Sequence, residues 1–167
     1  PLSRGLGDVY KRQVLVFMGA TLVIVLAIFL LFLNRKSSMG ALGQIRKVIR
    51  ESAYAPYEQY IINQMNLESG YLTNTLSNPP LYNVFSMGVA RIRPTTAIDS
   101  YSNPNIDGGM PFSVYTDYTS AAEDFILYLN YINMPQGLDC QGYNAYIVSR
   151  GYAVDPEYEV KLNAMCK

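Results

Sequence analysis

Residues 14–33 form an unbroken apolar run, softened only by Gly19 and Thr21. As a helix such a run spans about 30 Å, the hydrocarbon thickness of a bilayer. A cleaved signal peptide has a shorter apolar core, roughly 7–15 residues, followed by a small-residue cleavage pattern. Neither property is present, so the run predicts a single transmembrane helix over residues 14–33. In a chain of 167 residues that leaves room for one folded domain. Residues 34–43, with Ser37-Ser38 and two glycines, read as a linker, and residues 44–167 as the domain. Residues 1–13 stand apart: Asp8-Val9-Tyr10-Lys11-Arg12-Gln13 resembles the translated end of a sequencing adapter and is expected to be an artefact.

Arg35, Lys36, Arg46, Lys47 and Arg50 follow the span, and the positive-inside rule then favours a cytoplasmic domain. The basic residues before it, Arg4, Lys11 and Arg12, fall in the adapter-like stretch, so the two flanks are not comparable.

The residue inventory removes several chemistries. With no histidine, Ser-His-Asp and Cys-His catalysis and the usual His-containing zinc sites are excluded. Thirteen basic residues balance thirteen acidic ones, so net charge gives no reason to expect a nucleic-acid partner. Nothing in the sequence calls for a cofactor or a metal. Cys140 and Cys166 are either one disulfide, if the domain sits outside the cytoplasm, or two buried thiols. The fifteen tyrosines can supply flat surfaces that are part apolar and part hydrogen-bonding, which tryptophan, absent here, often provides.

Along the domain, Ile45, Val48 and Ile49 stand at helical spacing. Residues 57–67 form a second helical run that delivers Glu68 just before Ser69-Gly70, where glycine can end the helix. A carboxylate at the end of a mostly apolar helix is suited to proton donation; the alternative is an ordinary surface glutamate. Residues 89–96 alternate like a short strand, residues 99–109 are rich in turn signals, and residues 112–115 read as a second strand. Together they predict a small β-hairpin lobe. Ser120-Ala121-Ala122-Glu123 reads as a capping box opening a helix to about Asn133. A short helix over residues 144–150 stops at Gly151, and Asp155-Pro156-Glu157 starts the last one with Asp155 as its cap.

Four blocks in this order resemble one family. They are Leu67-Glu68-Ser69-Gly70-Tyr71, Asn83-Val84-Phe85-Ser86-Met87, Phe112-Ser113-Val114-Tyr115 with the capped helix, and Gly151-Tyr152-Ala153-Val154-Asp155-Pro156-Glu157-Tyr158 with Lys161-Leu162. They are similar to the bacterial glucosaminidase domain of autolysins and flagellar-rod peptidoglycan hydrolases, which are mannosyl-glycoprotein endo-β-N-acetylglucosaminidase-like. The last block is the most specific. The resemblance implies an α+β, mainly helical, lysozyme-like domain that cleaves β-1,4 bonds in peptidoglycan glycan strands, with Glu68 as general acid. It also implies a substrate cleft with Tyr71, Tyr82, Asn83, Phe85 and Tyr152 as candidate binding residues.

The chain departs from the family at Ser86, where glycine is usual, and at Gly88, where lysine often stands. The family's second carboxylate is a glutamate in the β lobe, but residues 72–121 hold no glutamate, only Asp99, Asp107 and Asp117. Asp99 is the candidate base for water in an inverting arrangement, with Asp107 behind it; substrate assistance by the sugar's acetamido group makes either unnecessary. A catalytically silent glycan-binding or envelope-assembly module is the alternative function. Because peptidoglycan lies outside the membrane, the hydrolase reading places the domain on the extracytoplasmic side, against the charge lean.

Overall fold

The computed structural model describes residues 40–104 and 109–167. The adapter-like stretch, the predicted span at residues 14–33 and Asp107 lie outside those residues. Among the described residues no helix is long and apolar enough to cross a membrane.

Helix α1 (Ala41–Arg50) buries Ile45 and Ile49, one turn apart, as their spacing predicts. The stripe beside them is anchored too. Arg46 and Arg50 both donate to Glu58, Arg50 at 2.7 and 2.9 Å, which clamps α1 to the first residue of α2 (Glu58–Ser69). These guanidinium hydrogen bonds, led by that from Arg50, hold the Glu58 carboxyl below the usual range. A single 3-10 turn, Ala55–Tyr57, joins the two helices.

The β lobe follows α2. Strands β1 (Asp99–Tyr101) and β2 (Phe112–Val114) pair antiparallel, Ser100 opposite Ser113. The chain before β1 also runs along β2, with Ser113 N donating to Met87 O at 2.9 Å and Tyr115 N to Leu81 O at 3.1 Å. The predicted strand over residues 89–96 is not formed. Its apolar members Val89 and Ile92 lie on the surface, so alternation there has no face to bury. The segment is instead moored at one point: Arg93 makes two bonds to the buried Asp124 carboxylate, at 2.9 and 2.7 Å. The first strand forms within the stretch whose turn signals argued against one.

Helix α3 (Tyr118–Tyr131) starts one turn earlier than predicted for its cap. Asp117 is the N-cap, accepting from Ser120 N, and Ser120 answers by accepting from the Asp117 backbone. Two capping patterns overlap there and the earlier one forms; the helix buries Ala121, Ala122 and Phe125. Helix α4 (Cys140–Ser149) also begins ahead of its prediction, because Asp139 caps it through Gly142 N at 2.8 Å. It ends before Gly151, whose φ of 73° is the left-handed geometry glycine adopts without cost. Helix α5 (Tyr158–Asn163) begins three residues after Asp155, yet Asp155 still guides the entry: its carboxylate accepts from Glu157 N and its carbonyl from Tyr158 N.

Helix α1 packs on α3, α2 on α4 and α5, and α4 on α5. Between them lies one core that includes Ile61, Met65, Phe85, Phe125, Leu129, Tyr143, Ile147 and Leu162. Cys140 and Cys166 form a disulfide, which ties the start of α4 to the chain end beyond α5. The result is mainly helical with a two-stranded antiparallel sheet.

Candidate active site

The three residues Glu68-Ser69-Gly70 close α2 by a division of labour. Gly70 takes φ 56° and its N–H bonds Asn66 O, turning the chain sharply. Ser69 is buried; its hydroxyl donates to Met65 O at 2.6 Å and accepts from Leu72 N at 2.9 Å. The carbonyl of Glu68, one of the helix-end acceptors left without an intrahelical partner, takes Asn74 Nδ2 at 2.8 Å and Ser86 Oγ at 3.4 Å. The backbone under Glu68 is thereby fixed from three sides.

Its half-buried carboxylate receives the hydroxyl of Tyr158, from the first residue of α5. Burial, and then the charge of Glu68, push the Tyr158 hydroxyl far above the usual phenol range, so it stays a donor. Tyr152 stands next to it, ring centroids 5.9 Å apart, and donates to Phe85 O. Its phenol is raised by burial first and by Glu68 second. One helical turn before Glu68, the buried Gln64 accepts from Tyr143 at 2.9 Å and leaves its Nε2 without a protein partner. Tyr158 thus bonds the carboxylate directly, and Tyr152 stands beside Tyr158.

A groove of about 370 Å³ adjoins this helix end. It is lined by residues 86–93, Tyr128, Tyr131 and residues 150–152. Ser86 and Tyr152 belong both to its wall and to the surroundings of Glu68.

The candidate residues divide. Tyr152 is at the groove beside Glu68. Tyr71 is exposed and lines a different cavity, about 410 Å³, with Asn63, Asn66 and Lys167. Tyr82 packs edge-on against Tyr118 at 5.1 Å. Asn83 is buried and its amide is fully used within the protein, accepting from Met87 N and donating to Met87 O and Ser113 O. The Phe85 ring stacks on Phe125, centroids 4.1 Å apart, and only its carbonyl faces the site. Asp99 is exposed on β1 with its carboxylate turned to Ser100 N at 2.7 Å. Tyr158 and Gln64 are not among the residues that the sequence marks as candidates for the site. The available signal for Tyr158 was its place in the same block as Tyr152. Among the described residues no cluster of three or more His, Cys, Asp or Glu could hold a metal.

A family model described as glucosaminidase (mannosyl-glycoprotein endo-beta-N-acetylglucosaminidase) matches residues 47–167. Among solved structures, the chain is similar to a C-terminally truncated glycoside hydrolase domain of FlgJ from Salmonella typhimurium, at 25% identity and TM-score 0.50, covering 74% of this chain and 88% of that one. It is similar in fold to a peptidoglycan hydrolase from Sphingomonas sp. A1, at 18% identity and TM-score 0.54, covering 74% and 81%. A type VI secretion system effector-immunity complex from Pseudomonas protegens matches at 14% identity and TM-score 0.53, covering 77% and 95%. No curated protein matches the chain.

Proposed function

The chain belongs to the glucosaminidase family, and from that premise we propose that it is a glycoside hydrolase of peptidoglycan. In this reading it cuts β-1,4 bonds of the glycan strands as an endo-β-N-acetylglucosaminidase, with Glu68 as general acid. The observation that carries the reading is the meeting, at one carboxylate, of two blocks 90 residues apart: Glu68 closes α2 and Tyr158 opens α5 onto it. The FlgJ domain, a glycoside hydrolase by its own description, supports the same chemistry.

Glycoside hydrolysis needs an acid to protonate the leaving oxygen and a second group to assist water or stabilise the sugar cation. Glu68 takes the first role, fixed by Tyr158. For the second, Asp99 sits on the β lobe but bonds its own strand, which favours assistance from the substrate's acetamido group over a protein base. The same observation gives a silent glycan-binding module its standing as second reading. Release of soluble muropeptides from purified peptidoglycan separates the two. Hydrolysis by the wild type and a loss of about a hundredfold or more in Glu68→Gln are expected. Equal release by both proteins would remove Glu68 from the acid's role, and release by neither favours the binding module.

Residues 14–33 serve in this reading as a single-pass anchor in the cytoplasmic membrane, with the domain extracytoplasmic. The Cys140–Cys166 disulfide supports that side, since such bonds persist in oxidising compartments. Alkylation of free thiols in intact cells followed by peptide mapping tests it: a linked Cys140–Cys166 peptide is expected, and two alkylated thiols argue for the cytoplasmic side.

A further inference from the structure

The groove beside Tyr152 is charged on one sign only. Its lining contains Arg91, Arg93 and Arg150 and no acidic residue. Arg93 is neutralised by Asp124, with both side chains buried, and its guanidinium lies 5.8 Å from the Tyr128 ring centroid, where it supports the wall. Arg91 and Arg150 are exposed, and neither meets a carboxylate among the described residues. Arg150 is held over the Tyr146 ring at 4.7 Å and donates one bond to its hydroxyl at 2.6 Å, so its position is set while further N–H donors remain open. The Tyr128 hydroxyl itself is buried behind the wall, without a hydrogen-bond partner among the described residues. Burial pushes this phenol up to about 12, so it remains a donor throughout the neutral range.

Two guanidiniums that meet no carboxylate and apolar flanks such as Ile92 and Tyr131 describe a site for a carboxylate carried on a partly apolar chain. Glycan sugars bearing only hydroxyl and acetamido groups offer nothing for these charges. Peptidoglycan strands offer carboxylates, on the lactyl-linked peptides that branch from every second sugar. Resting on the substrate class proposed above, we propose that this groove binds a carboxylate of the peptide branch through Arg91 and Arg150, making the protein selective for peptide-bearing, anionic strands.

Sedimentation with insoluble peptidoglycan tests this without needing turnover. The full chain, kept in detergent, is pelleted with untreated peptidoglycan and with the same material after its carboxylates have been converted to amides. Glu68→Gln serves as the background, so that substrate is not consumed. Untreated material is expected to retain the protein roughly tenfold more tightly, as two exposed ion pairs allow. The preference collapses at about 1 M salt, where the screening length is about 3 Å. Arg91→Gln/Arg150→Gln loses the preference, and Arg91→Lys/Arg150→Lys keeps most of it. Equal pelleting with both materials, or a preference that survives the double glutamine change, overturns the proposal. A failure of the hydrolase reading shows separately, as absent muropeptide release, and leaves this measurement valid.

Discussion

Asp124→Asn is the most demanding test of how the β lobe is held over the helices. The Asp124 carboxylate on α3 is fully buried and collects four donors: Arg93 at 2.9 and 2.7 Å, the Tyr115 hydroxyl at 2.8 Å and Thr96 N at 3.2 Å. Asparagine keeps the shape, removes the charge, and turns one acceptor into an NH2 group facing donors. Arg93, whose side chain is 6% exposed, is then left with an uncompensated charge. Breaking a buried pair from one side costs about 3–5 kcal/mol, a large part of a typical domain's 5–15 kcal/mol of stability. Urea unfolding should show that loss in Asp124→Asn and a similar one in Arg93→Met. Asp124→Leu/Arg93→Met should recover much of it, since neither charge is then buried alone. The pH dependence has a fixed sign. Burial pushes the Asp124 carboxyl up, but the hydrogen bonds from Arg93 and Tyr115 and the charge of Arg93 outweigh it, and the net shift is down. A depressed carboxylate stabilises the fold above its unfolded value, about 3.9, and loses that contribution as pH falls through the folded value. The gap between wild type and Asp124→Asn should therefore be full at neutral pH and narrow below about pH 4. A loss under about 1 kcal/mol, or a gap that ignores pH, refutes the reasoning.

Tyr158→Phe removes the donor on Glu68 while sparing the ring. A hydrogen bond to a charged group contributes about 1.5–3 kcal/mol, so kcat for muropeptide release should fall roughly ten- to hundredfold with KM little changed; an unchanged kcat breaks the proposed link between the two residues. Cys166→Ser opens a link with a sequence separation of 26 residues. The chain-entropy relation gives about 3.5 kcal/mol for such a loop, and a wild-type thermal melt that is the same with and without dithiothreitol would contradict it.

What could be read from the sequence was what local signals determine. Glu68-Ser69-Gly70 announces a helix end because glycine after a helical run favours the left-handed turn, and the helix does end there. Gly151 acts in the same way after α4. The β lobe was legible as an existence and not as a register. Alternation over residues 89–92 imitates a strand, but what decides that segment is an ion pair to Asp124, 31 residues beyond Arg93, which no local pattern encodes. Asp117 and Ser120 show a milder case: both are good caps, and in the fold they cap reciprocally, with Asp117 at the helix start. In the site, Tyr152 was legible through its block. Tyr158 was not, because a tyrosine at core spacing on a short helix looks like packing until its hydroxyl is seen against Glu68.

That last pairing bears on how a chain with no histidine can run acid chemistry. Both phenols near Glu68 are raised above the ordinary range, by burial before anything else, so neither gives up its proton at neutral pH. They can orient a carboxylate and the groups around it, but they cannot share its titration. If acid catalysis takes place at the end of α2, the proton therefore passes through Glu68, and the phenols act on where that carboxylate points. The position of Glu68 in turn depends on α5, which the disulfide and the Asn63 Nδ2 bond to Met165 O at 2.9 Å hold against α2 and α4. Loosening the chain end should therefore reduce activity before it unfolds the domain. This order of events separates a site assembled from two distant segments from one carried by a single helix end.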